Sequence, residues 1–203
     1  MAIEALILDF GEVLVRRQRE SAVHHMAQLA RLDLGEFSER YWRHRPEYDG
    51  GLPGREYWRL VVGGANVPAE ELDAVVEALE VADYVSWSDY REEVWTLAAE
   101  FKANRGRTAI LSNGIAEVIG RVGAVRTLSD YFDVVVVSYE VGCLKPAPRI
   151  YEICLNRLGV AAPSALFVDD RLENLEGAAR QGMQTLHFVG DESVAALRAR
   201  IGG

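Results

Sequence analysis

Five short, almost unbroken runs of apolar, β-prone residues constrain this chain more than any other feature: 5–9, 108–112, 134–138, 165–169 and 185–189. A strand with one wet face alternates apolar and polar side chains, whereas a strand covered on both faces reads as a continuous hydrophobic run. A helical pattern precedes each later run, at 90–105, 116–125, 148–158 and 174–181. Such alternation requires crossover connections, and hence a parallel sheet with helices on both faces. The expected fold is α/β, a Rossmann-like three-layer core around a parallel five-stranded sheet.

One gap breaks the rhythm. Residues 16–87 carry helical periodicity at 22–32, 36–43, 55–62 and 69–79, with turn signals at Asp49-Gly50-Gly51, Pro53-Gly54 and Val62-Gly63-Gly64. No convincing strand interrupts them. The predicted layout is a core domain of residues 1–15 and 88–203 with a small helical domain, 16–87, inserted after the first strand.

In an open parallel sheet, ligands sit beyond the carboxyl ends of the strands. The first strand ends in Asp9-Phe10-Gly11-Glu12 and the second in Ser112-Asn113-Gly114. The third is followed by Gly142-Cys143-Leu144-Lys145-Pro146, and the fourth ends in Asp169-Asp170, with Asn174 four residues on. The fifth adds nothing obvious. Three carboxylates, a hydroxyl and a lysine thus gather at one sheet edge. Three close carboxylates cannot all stay ionised without a compensating cation, and an all-oxygen donor set suits Mg²⁺. Lys145, Ser112 and backbone N–H groups could hold a phosphate there, and a free carboxylate facing it could attack it.

Composition narrows the alternatives. The 203 residues carry 22 basic and 31 acidic side chains, a net charge of −9. Such a chain has no bulk attraction to nucleic acid or anionic lipid, although a local basic pocket for a small anion stays open. No apolar run reaches the roughly 18–20 residues that span a bilayer. The opening residues lack a signal-peptide pattern, and Cys143 and Cys154 form no metal or redox motif. The expectation is a cytoplasmic protein acting on a small phosphorylated metabolite, without nucleic-acid or membrane partners, as a monomer or homodimer. The histidines (His24, His25, His44, His187) have no partner at ligand spacing, so surface or core roles are expected for them.

The strand-end residues, in this order and at this spacing, resemble the four motifs of the haloacid-dehalogenase-like superfamily over residues 5–189. The helical insertion resembles that family's first cap type, and the Asp-x-Gly first motif resembles a subgroup that includes bacterial sugar phosphatases. The resemblance implies strand order 5-4-1-2-3 and a Mg²⁺-dependent phosphatase acting through an aspartyl-phosphate. Asp9 would be nucleophile and metal ligand, with Phe10 and Gly11 near the phosphate and the Gly11 backbone carbonyl facing the metal. Ser112, Asn113 and Gly114 would bind phosphate, and Lys145 would stabilise nucleophile and phosphate. Asp169 and Asp170 would hold the metal, and Asn174 the loop around them.

The chain departs from the common form at Gly11, where the family usually carries an aspartate that protonates the leaving group and activates water. Glu12 could substitute, or could be a solvated loop carboxylate. The missing acid favours good leaving groups, with a sugar phosphate as the first expectation. In the insertion, Arg45, Tyr48 and Asp49 lie in a polar, glycine-rich stretch expected to be a loop that could select the leaving group. Two other readings stay open: a haloacid dehalogenase, which the Asp169-Asp170 pair opposes, and a non-enzymatic regulator that binds phosphometabolites or a partner.

Overall fold

The computed structural model describes residues 2–202. Its strands are β1 (Ala5–Leu8), β2 (Arg107–Ser112), β3 (Val134–Val137), β4 (Ala165–Asp169) and β5 (Gln184–His187). All pairings are parallel, in the order β3-β2-β1-β4-β5. This is the expected order read from the other edge. The chain enters at the centre of the sheet and winds outward first to one side and then to the other, so the break in winding direction falls between β1 and β4.

The core helices are α6 (Glu92–Asn104), α7 (Ala116–Val125), α8 (Ser138–Val141), α9 (Pro148–Leu158), α10 (Leu172–Arg180) and α11 (Ser193–Gly202). Side chains alternate faces along a strand, and each face here is apolar. Leu6, Leu8, Ile110, Leu166 and Val168 pack in one cluster with Trp95 and Phe101 of α6 and Leu197 of α11. Ala5, Ile7, Ala109, Leu111, Val136 and Phe167 pack in the other with Ile150, Tyr151 and Cys154 of α9 and Ala178 of α10. Truncating a leucine in such a core costs about 2–5 kcal/mol, which is why the strands show no polar alternation.

Between β1 and α6 lie α1 (Glu20–Leu29), α2 (Leu34–Arg43), α3 (Arg45–Asp49), α4 (Gly54–Val62) and α5 (Leu72–Ser86). Asp33 caps α2 by accepting from the Glu36 N–H at 2.9 Å. The stretch expected as a loop begins instead with α3, started by Pro46 in its first turn and tied by an Arg45–Asp49 pair one turn apart. Helix α5 runs on to Ser86, well past the expected end at 79. The last strand stops at His187, and α11 follows unannounced by any sequence signal used above.

The root of the insertion is stitched closed. Val15 and Tyr90 form an antiparallel bridge, and the Arg16 and Arg91 N–H groups donate to Asp89 and Leu14 carbonyls at 2.7 and 2.9 Å. The buried Arg91 guanidinium donates through Nη1 to the carbonyls of Glu12, Val13 and Val15, and through Nε to Asp191. Its flat face lies 5.0 Å from the Phe188 ring centroid. Among the described residues no helix is long and apolar enough to cross a membrane.

Candidate active site

The carboxyl ends of β1, β2 and β4 and the loop after α8 converge as expected. Beyond Leu8 the backbone turns so that the Asp9 carboxylate accepts from the N–H of Phe10 at 2.7 Å. Lys145 Nζ reaches the same oxygen, Oδ1, at 2.8 Å. Asp9 lines the cavity, and both of these contacts fall on Oδ1.

Lys145 is itself fully committed. An ammonium has three donors, and these go to Asp9 Oδ1, to Asp169 Oδ2 at 2.7 Å and to the Leu111 carbonyl at 3.0 Å. Asn113 fixes the lysine's backbone from both ends of its amide. Its Nδ2 donates to the Lys145 carbonyl at 2.9 Å, and its Oδ1 accepts the Lys145 N–H at 2.7 Å. Asn113, expected beside the phosphate, lines the cavity and also holds the lysine loop. Gly177 of α10 is also part of this placement, because an added Cβ would come within 3.0 Å of the Tyr151 hydroxyl and Pro146. Only a bare backbone lets α10 approach the lysine loop so closely.

The paired aspartates have different surroundings. Asp169 is fully buried and accepts four hydrogen bonds, from Lys145, from the Arg171 N–H at 2.8 Å and from Asn174 Nδ2 at 3.0 and 3.1 Å. Asn174 thus fixes Asp169, and its own carbonyl is held by the Tyr151 hydroxyl at 2.7 Å. Asp170 is partly exposed and lines the cavity. Its carbonyl contacts His187 Nε2 at 2.9 Å, so the fifth strand does contribute to this edge.

Ligand oxygens of Asp9, Asp169 and Asp170 lie within 4.8 Å of one another. Burial pushes the Asp9 carboxyl up to about 7; Lys145 opposes the shift and Asp169 adds to it. Burial, then Asp169 and Glu12, push Asp170 up to about 6. Burial works against the Lys145 charge, but the Asp9 and Asp169 carboxylates outweigh it and hold the ammonium protonated. One lysine facing three carboxylates leaves negative charge uncompensated. This oxygen-only set fits a hard divalent cation.

Ser112, at the end of β2, is nearly buried and lines the same cavity. Gly114 lines it too, but its N–H is taken by Ser138 Oγ at 3.0 Å. The Ser138 hydroxyl in turn donates to the Asp49 carbonyl at the end of α3, at 2.5 Å. A single core serine therefore ties the insertion to the β2 loop.

Gly11 has ordinary extended dihedrals (φ −63°, ψ 136°), and a Cβ placed there would meet only the Trp87 ring, at 3.9 Å. Glu12 lines the cavity at φ +54°, in the left-handed region that disfavours a side chain. The Arg91 bond to its carbonyl helps hold it there. Its carboxylate is 40% exposed and 4.0 Å from Arg17 Nε.

The insertion closes the cavity with Trp42, Arg45, Asp49 and Trp87. Arg45 is held by Asp49 at 2.9 Å, the Tyr41 hydroxyl at 2.6 Å and Asp83 at 3.6 Å. Tyr48 does not line the cavity. It is buried and stacked on Tyr57, with ring centroids 4.2 Å apart. Sequence reasoning missed Trp87, Arg91, Ser138 and the apolar wall formed by Ile115, Val118 and Ile119. A tryptophan at the junction of insertion and core was the one available hint.

A profile of the haloacid dehalogenase-like hydrolases matches residues 3–182, and the chain belongs to that family. A phosphatase of Mycobacterium tuberculosis, MT3486, is 26% identical over 191 residues, covering 91% of this chain and 86% of the relative. The glyceraldehyde 3-phosphate phosphatase of Methanopyrus kandleri is 30% identical over 202 residues, covering 92% and 84%. Among solved structures, the HAD family enzyme BT-2542 of Bacteroides thetaiotaomicron, in complex with magnesium and inorganic phosphate, superposes with a TM-score of 0.78. That match is 21% identical and covers 97% of this chain and 99% of the other.

Proposed function

We propose that this protein is a Mg²⁺-dependent phosphohydrolase that takes the phosphoryl group of a small phosphorylated metabolite onto Asp9. One observation carries this reading: Asp9 lines the cavity with Oδ1 pinned twice, by Phe10 N–H and by Lys145, which leaves Oδ2 as the oxygen for attack. A carboxylate held in one orientation is positioned for attack on phosphorus. The phosphatase names of both curated relatives and the magnesium and phosphate bound by BT-2542 point the same way.

Asp9, Asp170 and the Gly11 carbonyl would hold Mg²⁺, with Asp169 oriented beside them by Lys145 and Asn174. The ion would supply positive charge against the phosphoryl oxygens. Asp9 Oδ2 attacks phosphorus, the bond to the leaving oxygen breaks, and that oxygen keeps the electron pair. Lys145 holds Asp9 in place, and Ser112 Oγ with free backbone N–H groups of the β1 and β2 loops bind phosphoryl oxygens. Water then attacks the aspartyl-phosphate at phosphorus, releasing phosphate and restoring the carboxylate. A dehalogenase would have no use for the surplus of carboxylate charge.

Phosphate release from acetyl phosphate and p-nitrophenyl phosphate, with and without Mg²⁺, tests the proposal. Activity should require Mg²⁺ and vanish in Asp9→Asn. Turnover that survives Asp9→Asn would overturn the assignment of the nucleophile, and no turnover of either compound would favour a phosphometabolite-binding regulator.

A further inference from the structure

Beside its acids the cavity has a second chemistry. The residues lining its space of about 130 Å³ include the rings of Phe10, Trp42 and Trp87 and the aliphatic side chains of Ile115, Val118 and Ile119. Trp42 is 54% exposed although it stands on the cavity wall. An apolar surface of that size left in water is what a ligand's own apolar face would cover.

The polar groups that the insertion brings to the cavity are already paired. The Arg45 charge is shared between Asp49 and Asp83, and its guanidinium carbon lies 5.4 and 5.6 Å from the Tyr41 and Tyr48 ring centroids. Trp87 Nε1 donates to the Tyr41 hydroxyl at 3.2 Å. The other cations lining the cavity are paired as well, Lys145 with Asp9 and Asp169 and Arg171 with Glu173. Among the described residues that line the cavity, every cation thus has a carboxylate partner, and none waits for a second phosphate on the leaving group. A Cβ on residue 11 would meet an aromatic carbon of Trp87, at 3.9 Å.

We propose that the leaving group this site takes is uncharged and aromatic, so that the substrate is an aryl phosphate monoester. This rests on the phosphohydrolase reading above and deepens it. In the transfer step the bond from phosphorus to the ring oxygen breaks as that to Asp9 Oδ2 forms. The electron pair stays on the ring oxygen as a phenoxide, which solvent then protonates. A phenoxide is a far weaker base than an alkoxide, so it leaves without a proton from the protein. The indole faces of Trp42 and Trp87 stack on its ring.

The test is kcat/KM of the Mg²⁺-loaded protein for 1-naphthyl phosphate, phenyl phosphate, glycerol 1-phosphate, glucose 6-phosphate and acetyl phosphate. Phenyl phosphate should exceed the two polyol esters by on the order of 100-fold, the scale of an absent acid. The naphthyl and phenyl leaving groups are of similar basicity, so their ratio reports on the walls. It should favour naphthyl and fall about tenfold in Trp42→Ala, a change at a side chain exposed enough to leave folding intact. A polyol ester turned over as well as phenyl phosphate would overturn the proposal, as would a naphthyl-to-phenyl ratio unmoved by Trp42→Ala. If that happened while acetyl phosphate was still hydrolysed with Mg²⁺ and Asp9, the phosphohydrolase reading would stand alone. Failure on every compound would remove both.

Discussion

At the scale of single residues, the site is defined by which groups are spent and which are free. Lys145 has no unused proton, so a phosphoryl oxygen can reach it only by displacing the Leu111 carbonyl or one of the aspartates. Gly11 contributes a backbone with no side chain, and Trp87 is the group that a Cβ there would meet. On the proposed mechanism the two half-reactions suffer unequally from that. Transfer to Asp9 can proceed with a good leaving group, but hydrolysis of the aspartyl-phosphate needs the same water activated whatever the substrate was. Rapid mixing with an aryl phosphate should therefore show a burst of phenol stoichiometric with enzyme, followed by slower turnover. Gly11→Asp fits the space, because its Cβ makes only an ordinary contact with Trp87, and it should suppress the burst and raise steady-state turnover roughly 10²-fold. A linear time course in the wild type, with rates that vary widely among aryl esters, would rule out limiting dephosphorylation.

At the scale of elements, α3 is the piece most directly coupled to the chemistry. Its last carbonyl, on Asp49, receives the Ser138 hydroxyl, and that same hydroxyl receives the N–H of Gly114 in the β2 loop. Ser138→Ala removes both contacts and strands a part-buried N–H, at a cost of about 1–3 kcal/mol in urea unfolding. KM for an aryl phosphate should rise more than kcat falls, because the wall loosens while Asp9 and Lys145 stay in place. An unchanged KM would show that α3 keeps its position without the serine. None of this was legible in the sequence, where the glycines and polar residues after His44 read as a loop. The strand-end residues were legible, because Asp9, Ser112 and Asp169 each close an apolar run whose two-sided burial the sequence displays. Arg91 and Trp87 were not. Each acquires its role from partners tens of residues away, and an arginine at the start of a helix carries no mark of the carbonyls it will hold. Asn113 was legible as a member of the site, but its hold on the Lys145 backbone was not.

At the scale of the whole molecule, the crowding of acids sets a pH dependence. In the metal-free fold, Asp9 titrates near 7 and Asp170 near 6, whereas both sit near about 4 in an unfolded chain. Between those values the folded state holds more protons than the unfolded one, so stability falls as pH rises from about 4 to about 7 and levels off above. Asp133 and Asp191, whose carboxyls are held below the usual value, act in the opposite sense, at still lower pH. Thermal unfolding in EDTA should thus show Tm declining across that window. Excess Mg²⁺ should flatten the decline, and Asp9→Asn should raise the metal-free Tm at pH 8. A metal-free Tm that climbs from pH 5 to pH 7.5 would contradict the electrostatic account.

Arg91 ties distant parts of the chain together. It clasps the carbonyls just after Asp9 while its other edge rests on Phe188 and Asp191, both beyond the last residue matched by the family profile. The loop after Asp9 is therefore fastened in part by residues outside the four motifs. Substitutions there could retune the geometry beside Asp9 without touching a motif residue, and two relatives with the same four motifs need not share the same loop.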